Sequence, residues 1–411
     1  MLLLSINFGH DASLALFENS TLIDFQELER ISRIKHHLGI NSTYIEEFVQ
    51  RNNYSLEDIK SVALTGTQFW SLHHCPNIRV DYGITDNLKK LVNNDLLDEL
   101  ENLETKFPTS FLKGKQFLGE DFEKHLKLQN LKDFSNYPFR MEFFNPFTEG
   151  TQTSAESFEK VFKIYEERNN GINNFVSDFY FPINFNINQF QIPGFFVNHH
   201  AAHAGHAVMH SKESSIIVTH DGGTNCIPFN SGGIYIYKKE LGLIPINSHN
   251  FMFGCLYDEI GKLFDLTPGK LMGLSSFGNP SPLLPKIETL VNDVFNSPIE
   301  ERDQNKKKLV DAIVTLSKNS QSINKNHVEK FKFDFENKKL AIQCAANIQA
   351  LVQTLFTSQV SRIAAVVQNI SHANELFITG GFTLNCPTNS NLSKLLPSME
   401  VKPLPACGDT G

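Results

Sequence analysis

Apolar and polar positions alternate along the first thirty residues, and the alternation predicts strands. Leu2 to Ile6 reads as one strand, Asn7 to Ala12 as a loop, then a second strand, a turn at Asn19-Ser20, and a third strand from Leu22 to Leu28: a β-meander entry. The period then changes. Ser42 or Thr43 can cap a helix carrying Tyr44, Ile45, Phe48 and Val49, and Val62 to Leu64 reads as a strand ending at Gly66. From 67 to about 190 the rhythm is lost in a Phe- and Asn-rich stretch with Pro breaks, where one helix is expected from Asn87 to Leu103. This stretch is expected to be an insertion, serving as a lid, a substrate-facing subdomain or a partner surface.

Regular patterning resumes with strands at Gly194 to Val197, Ser215 to Thr219 and Gly232 to Tyr237, the first two flanking a histidine-rich helix. Helices are expected at Leu256 to Phe264, Pro285 to Phe295 and Lys339 to Ile370, the last with Ile342, Ala346, Ile348, Val352, Leu355 and Val360 on one face. A buried strand, Glu375 to Thr379, runs into Gly380-Gly381. Strands interleaved with helices point to an α/β protein.

Length and composition narrow the function. A chain of 411 residues with 41% hydrophobic content can form two or three domains. A net charge of -8 and the absence of long like-charge runs disfavour nucleic-acid binding. The opening segment lacks a basic signal-peptide region, and no stretch of 18 apolar residues occurs, so no membrane association and a cytoplasmic location are expected. Six scattered cysteines without a C-x-x-C pair are expected to be reduced thiols.

The chemistry concentrates in His199, His200, His203, His206 and His210, five histidines within twelve residues set among Ala and Gly. On a helix, His199, His203 and His206 share a face, and the i, i+4 pair His199 and His203 can present two imidazole nitrogens to one ion. Asp221, at the end of the following strand, can complete such a site, and Asp409 is a second candidate carboxylate. A mixed His/carboxylate set suits iron, manganese or zinc better than calcium or magnesium. The plain alternatives are hydrogen-bonded or solvated helix histidines and aspartates that cap their own turns.

Three strands run into turns of small residues: Gly9-His10-Asp11-Ala12-Ser13, Asp221-Gly222-Gly223-Thr224, and Gly380-Gly381-Phe382-Thr383. Backbone N–H groups in such turns can cradle phosphates, although a Gly-Gly after a strand is more often just a tight turn. Three in one chain make a nucleotide a candidate ligand.

Further blocks line up with these: Glu29-Arg30-Ile31-Ser32-Arg33-Ile34-Lys35-His36, Asn198-His199-His200-Ala201-Ala202-His203-Ala204, Gly269-Lys270-Leu271-Met272-Gly273-Leu274-Ser275-Ser276-Phe277-Gly278, Gly380-Gly381-Phe382-Thr383-Leu384-Asn385-Cys386 and Pro405-Ala406-Cys407-Gly408-Asp409. In this order they resemble the O-carbamoyltransferases typified by the nodulation, cephamycin and tobramycin enzymes. The resemblance implies an actin-like ATPase fold of two α/β lobes, shared with the enzyme of tRNA threonylcarbamoyladenosine synthesis. On that basis the chain divides into 1–66 and 191–213, the latter with the histidine helix, as first lobe; 67–190 as insertion; and 214–411 as a second lobe incomplete at its end.

The resemblance also implies a reaction. Such enzymes form carbamoyl-adenylate from carbamoyl phosphate and ATP, then pass the carbamoyl group to a hydroxyl of a small-molecule acceptor, such as a sugar or natural product. It places an iron-type ion on His199, His203, Asp221 and Asp409, with Mg2+ a further candidate cofactor. It assigns the transfer step to His10 and Lys35. Cofactor contacts fall to Gly9, Asp11, Ser13, Gly222, Gly223 and Thr224 around the phosphates, and to Gly380, Gly381 and Asn385 near adenosine. A proton acceptor and an ammonium suit that chemistry.

Two departures accompany the likeness. The segment between the Lys35 and His199 blocks is longer than in comparable family members. Those members also continue past the Gly-Asp motif into a closing helix and an adenylate-forming domain, so a fragment or split gene is expected, with that domain supplied in cis or by a partner. The alternative function is a non-catalytic metal- and nucleotide-binding module. A zinc hydrolase is disfavoured, because His200 stands where the H-E-x-x-H motif places its Glu.

Overall fold

The computed structural model of the chain describes residues 1–9, 11–35, 37, 39–66, 77–82, 180–197, 199–221, 232–239, 242–249, 253–287, 289–291, 294, 299–319 and 337–404. β1 (Leu2–Asn7), β2 (Ser13–Glu18) and β3 (Thr21–Glu27) form an antiparallel meander with β1 innermost. Leu2, Leu4 and Ile6 of β1 are buried while their neighbours are half-buried, the alternation the sequence carries. The two-residue link Asn19-Ser20 has φ of 47° and 71°, the double left-handed geometry of a tight hairpin turn.

Next come α1 (Leu28–Ser32), α2 (Ser42–Arg51) and β4 (Ile59–Thr65), which returns parallel to β1. The cap of α2 differs from the expected Ser42 or Thr43. Asn41 Oδ1 accepts from Tyr44 N at 2.9 Å, because a short amide in extended backbone one residue earlier reaches the same orphan N–H. β5 (Ile78–Tyr82), β6 (Tyr180–Ile187) and β7 (Phe190–Val197) complete the first sheet, with β7 parallel to β4. The edges of the expected insertion are therefore sheet. Ile183, Phe185 and Ile187 are fully buried, which a surface loop would not allow. The helix expected at Asn87 to Leu103 lies outside the described residues.

α3 (His199–Val208) leads into the second sheet, where β8 (Ser214–Thr219), β9 (Gly232–Lys238) and β10 (Gly242–His249) repeat the meander. Then follow α4 (Phe253–Lys262), α5 (Pro268–Leu274), α6 (Ile299–Asn319), α7 (Lys338–Ser371), β11 (Glu375–Thr379), α8 (Cys386–Leu395) and β12 (Glu400–Pro403), with β8, β11 and β12 mutually parallel. The segment expected as a helix from Pro285 opens instead with a 3-10 turn, Leu284–Ile287.

The strand orders are β3-β2-β1-β4-β7-β6-β5 and β10-β9-β8-β11-β12. Each sheet thus contains one motif: a three-stranded meander whose first strand is central, followed by two strands parallel to it. Two such α/β units in one chain are the actin-like ATPase fold. α3, grouped with the first lobe by the sequence division, packs on the second sheet instead. Its Ala201, Ala204 and Ala207 bury against Ile217, Tyr235, Phe377 and Leu404, since small side chains let a helix lie close to a sheet. α7 is the spine of the larger core. A window from Lys338 to Ser361 is apolar enough to cross a membrane, but 72% of it is buried inside the protein against α4 to α6, α8 and β8.

Candidate metal centre and adjoining cavity

With its alanine face on the sheet, α3 turns His199 and His203 the other way, one helical turn apart. Both are buried, 5% and 8% exposed. Their Nε2 atoms stand 3.2 Å apart, and Asp221 Oδ2, just beyond the end of β8, lies 2.9 Å from His199 Nε2 and 3.6 Å from His203 Nε2. All three ligand atoms fall within 4.8 Å of one another. Two imidazole nitrogens and a carboxylate oxygen converging on one point fit a borderline cation such as iron, manganese or zinc. Burial works to raise the Asp221 pKa, but the hydrogen bonds and electrostatic attraction of His199 and His203 outweigh it and hold the carboxyl well below the usual range.

Asp221 is held from behind. His220 is fully buried, its ring 4.5 Å from Phe382, 5.1 Å from Phe356 and 5.7 Å from Phe253. The glycine turn after β11 dovetails with this segment: His220 N donates to Thr379 O at 2.8 Å and Phe382 N to His220 O at 3.1 Å. Glycine is required at Gly380, by its backbone angle and its neighbour, whereas at Gly381 a side chain would press only on the Asp221 carboxylate. Gly380 has φ +93° and a Cβ there would lie 2.4 Å from His220 O, while one on Gly381 would lie 2.8 Å from Asp221 Oδ1.

Beside Asp221 opens a cavity of about 440 Å³, within the range of small-molecule sites. Gly381, Phe382 and Asn385 form one wall, Gly254, Cys255 and Tyr257 of α4 another, and Pro268, Gly269 and Met272 of α5 a third. Burial pushes the Cys255 thiol up to about 11, so the cavity wall presents it as a neutral thiol. A polar network underlies the site. Tyr257 Oη donates to Gln349 Oε1 at 2.6 Å, Gln349 Nε2 to Asn385 Oδ1 at 2.9 Å, and Asn385 Nδ2 to Tyr257 Oη at 3.2 Å. The ring of three bonds joins α4, α7 and the start of α8, and fixes the Asn385 amide.

Of the residues expected from sequence, His199, His203 and Asp221 meet, with Gly380, Gly381 and Asn385 adjoining them. Gly9 and Asp11 lie buried in the β1–β2 loop of the first sheet, with Asp11 at φ 60°, and Ser13 is buried at the start of β2. Lys35 is exposed on the turn after α1. His10, Gly222, Gly223, Thr224 and Asp409 lie outside the described residues. Tyr257, Gln349 and the phenylalanines around His220 were not expected at the site. His37 is also new: its backbone O accepts from Ala12 N at 2.9 Å, and burial pulls its imidazole pKa down.

The family model described as carbamoyltransferase N-terminus matches residues 2–411. The chain belongs to that family. Carbamoyl transfer, in general terms, is therefore its reaction class. No curated protein sequence matches it. Among solved structures the carbamoyltransferase chain is similar to the activator of the 2-hydroxyisocaproyl-CoA dehydratase from Clostridium difficile with bound ADPNP (9% identity, 99% of this chain and 90% of that one, TM-score 0.38). It is also similar to component A of the Acidaminococcus fermentans (R)-2-hydroxyglutaryl-CoA dehydratase (10%, 99% and 93%, TM-score 0.38). A third is full-length HypF in the phosphate- and nucleotide-bound form (11%, 99% and 45%, TM-score 0.38). At this distance they add nothing on activity, and the fold rests on the repeated strand order.

Proposed function

We propose that the chain is the N-terminal part of an ATP-dependent O-carbamoyltransferase acting on a hydroxyl of a small-molecule acceptor. The observation that carries this is the convergence of His199 and His203 on Asp221, which itself lines the cavity walled by Gly381, Phe382 and Asn385. The cavity volume lies in the small-molecule range, and a nucleoside seated against Gly381, Phe382 and Asn385 would direct the phosphates of ATP toward Asp221. A cation on His199, His203 and Asp221, with Asp409 as a fourth ligand, would offset the charge of those phosphates.

In the proposed reaction carbamoyl phosphate loses phosphate to water, and the carbamate oxygen attacks the α-phosphorus of ATP, expelling pyrophosphate. The acceptor oxygen then attacks the carbamoyl carbon and AMP leaves. His10 takes the acceptor's proton, and Lys35 offsets developing negative charge. Gly9, Asp11, Ser13, Gly222, Gly223 and Thr224 would line the phosphates. The family is that of an N-terminal region, so formation of the adenylate is assigned to a further domain, in cis or from a partner.

Two measurements test this. With ATP, iron and the complete gene product, pyrophosphate should appear only when carbamoyl phosphate is added; no release across several acceptors would favour a non-catalytic binding module. His203→Ala should abolish stoichiometric metal by elemental mass spectrometry, a larger loss than the roughly 10–100-fold expected of a supporting residue, and weaken ATP binding. A variant that keeps both removes the ligand assignment.

A further inference from the structure

The paired geometry of His199 and His203 recurs on the same helix. His206 and His210 are again four residues apart, seven residues further on, and their Nε2 atoms stand 3.3 Å apart. Their ring planes cross at 79° with centroids 5.1 Å apart, against 83° and 4.5 Å for the first pair. α3 ends at Val208, yet His210 stays on the face because its N–H donates to Ala207 O at 3.0 Å, winding the chain one turn further. Seven residues of helix set the pairs about 10.5 Å apart along the axis. The second pair sits at the exposed end, with His210 at the surface and His206 half-buried.

We propose that His206 and His210 form a second binding site for a late first-row divalent cation such as Zn2+, distinct from the His199, His203 and Asp221 cluster. An ion about 2.05 Å from each of two nitrogens 3.3 Å apart subtends about 107° between them, close to the tetrahedral angle that zinc adopts. Imidazole is the ligand of choice for Zn2+, Ni2+ and Cu2+, so the chemistry matches the geometry. Water fills the remaining positions, which makes this the weaker and more exchangeable of the two sites. The site also explains why the histidine cluster extends past His203, and it does not depend on the carbamoyl-transfer proposal.

The experiment is a calorimetric titration of the chelator-stripped chain with Zn2+ alone at neutral pH. Wild type should bind a tighter and a weaker equivalent, separated by about tenfold or more because two protein ligands replace three. His210→Ala and His206→Ala should each remove the weaker equivalent and leave the tighter one; His203→Ala should do the reverse. Circular dichroism checks the fold, and His210→Ala, at an exposed position, decides the matter even where His206→Ala perturbs the helix. A weaker equivalent that survives in His210→Ala, or a wild type that binds no Zn2+ beyond what His203→Ala removes, overturns the proposal. Loss of the tighter equivalent alone from wild type would count against the metal centre proposed for carbamoyl transfer and leave this site standing.

Discussion

The two sheets place an aspartate just past the end of the same strand of the repeated motif, Asp11 after β1 and Asp221 after β8, and they fix it by different means. The first loop is tied by main-chain bonds: Phe8 N to Thr65 O at 2.9 Å, Ala12 N to His37 O at 2.9 Å, and Gly39 N to Phe8 O at 3.2 Å. Asn7 closes it by donating to Asp11 O at 3.1 Å. The second has main-chain bonds too, through His220 N and O, but adds the packing of the His220 ring among Phe253, Phe356 and Phe382. Equal topology therefore does not mean equal construction. Apart from Asn7, the bonds named for the first loop are main-chain ones and do not depend on side-chain identity, whereas the aromatic packing added at the second depends on residues far away in sequence.

That contrast can be broken at its strongest point by Phe382→Ala. The ring is 7% exposed and touches both His220 and Phe356, so its loss should cost about 3–5 kcal/mol in urea unfolding. A cost below about 1 kcal/mol would mean that the aromatic cage is not what holds Asp221. A finer test compares two glycines. A Cβ on Gly66 would lie 3.0 Å from Gly9 N, so Gly66→Ala should cost about 1–3 kcal/mol by overpacking and leave Zn2+ affinity unchanged. Gly381→Ala instead pushes on Asp221 Oδ1 and should weaken Zn2+ about tenfold, or about 1.4 kcal/mol, with little change in stability. Equal effects of the two on metal would erase the distinction.

The smallest effect belongs to the edge of the first sheet. Burial works to raise the Asp24 pKa, but hydrogen bonds from Asn52 and Arg51 and the Arg51 charge bring it below the ordinary value. A carboxyl depressed in the folded state contributes stability above its unfolded pKa, near 3.9, and loses it as pH falls through the folded value. Asp24→Asn should therefore cost under about 1 kcal/mol at pH 7, because the pair is solvent-screened, and progressively less as pH falls below the unfolded value. A constant difference across that range would rule out the ion pair as its source.

How much of this was legible in the sequence follows from the range of the interactions. The meander and the strand Glu375 to Thr379 announce themselves by period and burial, and α7 by its length. β6 hides because Pro182, Asn184 and Asn186 look like loop chemistry, although Ile183, Phe185 and Ile187 alternate with them as a strand should. α6 hides because its apolar positions are sparse, with Leu309, Val310 and Ile313 the buried hydrophobic ones among its described side chains. α8 opens with Cys386-Pro387 and is capped by Asn385, which accepts from Thr388 N at 3.3 Å. Within the site, the His199 and His203 spacing is local and readable. The Tyr257 to Gln349 bond spans 92 residues, and no local pattern encodes it.

α7 ties these pieces together. At 34 residues it is a rod about 51 Å long, and its middle carries both Gln349, beneath the cavity, and Phe356, in the cage behind Asp221. Any tilt of that rod rotates both supports through the same angle. The Asn385 wall of the cavity and the Asp221 cluster are thus geared to one shaft, so any movement of α7 would carry them together and preserve their spacing.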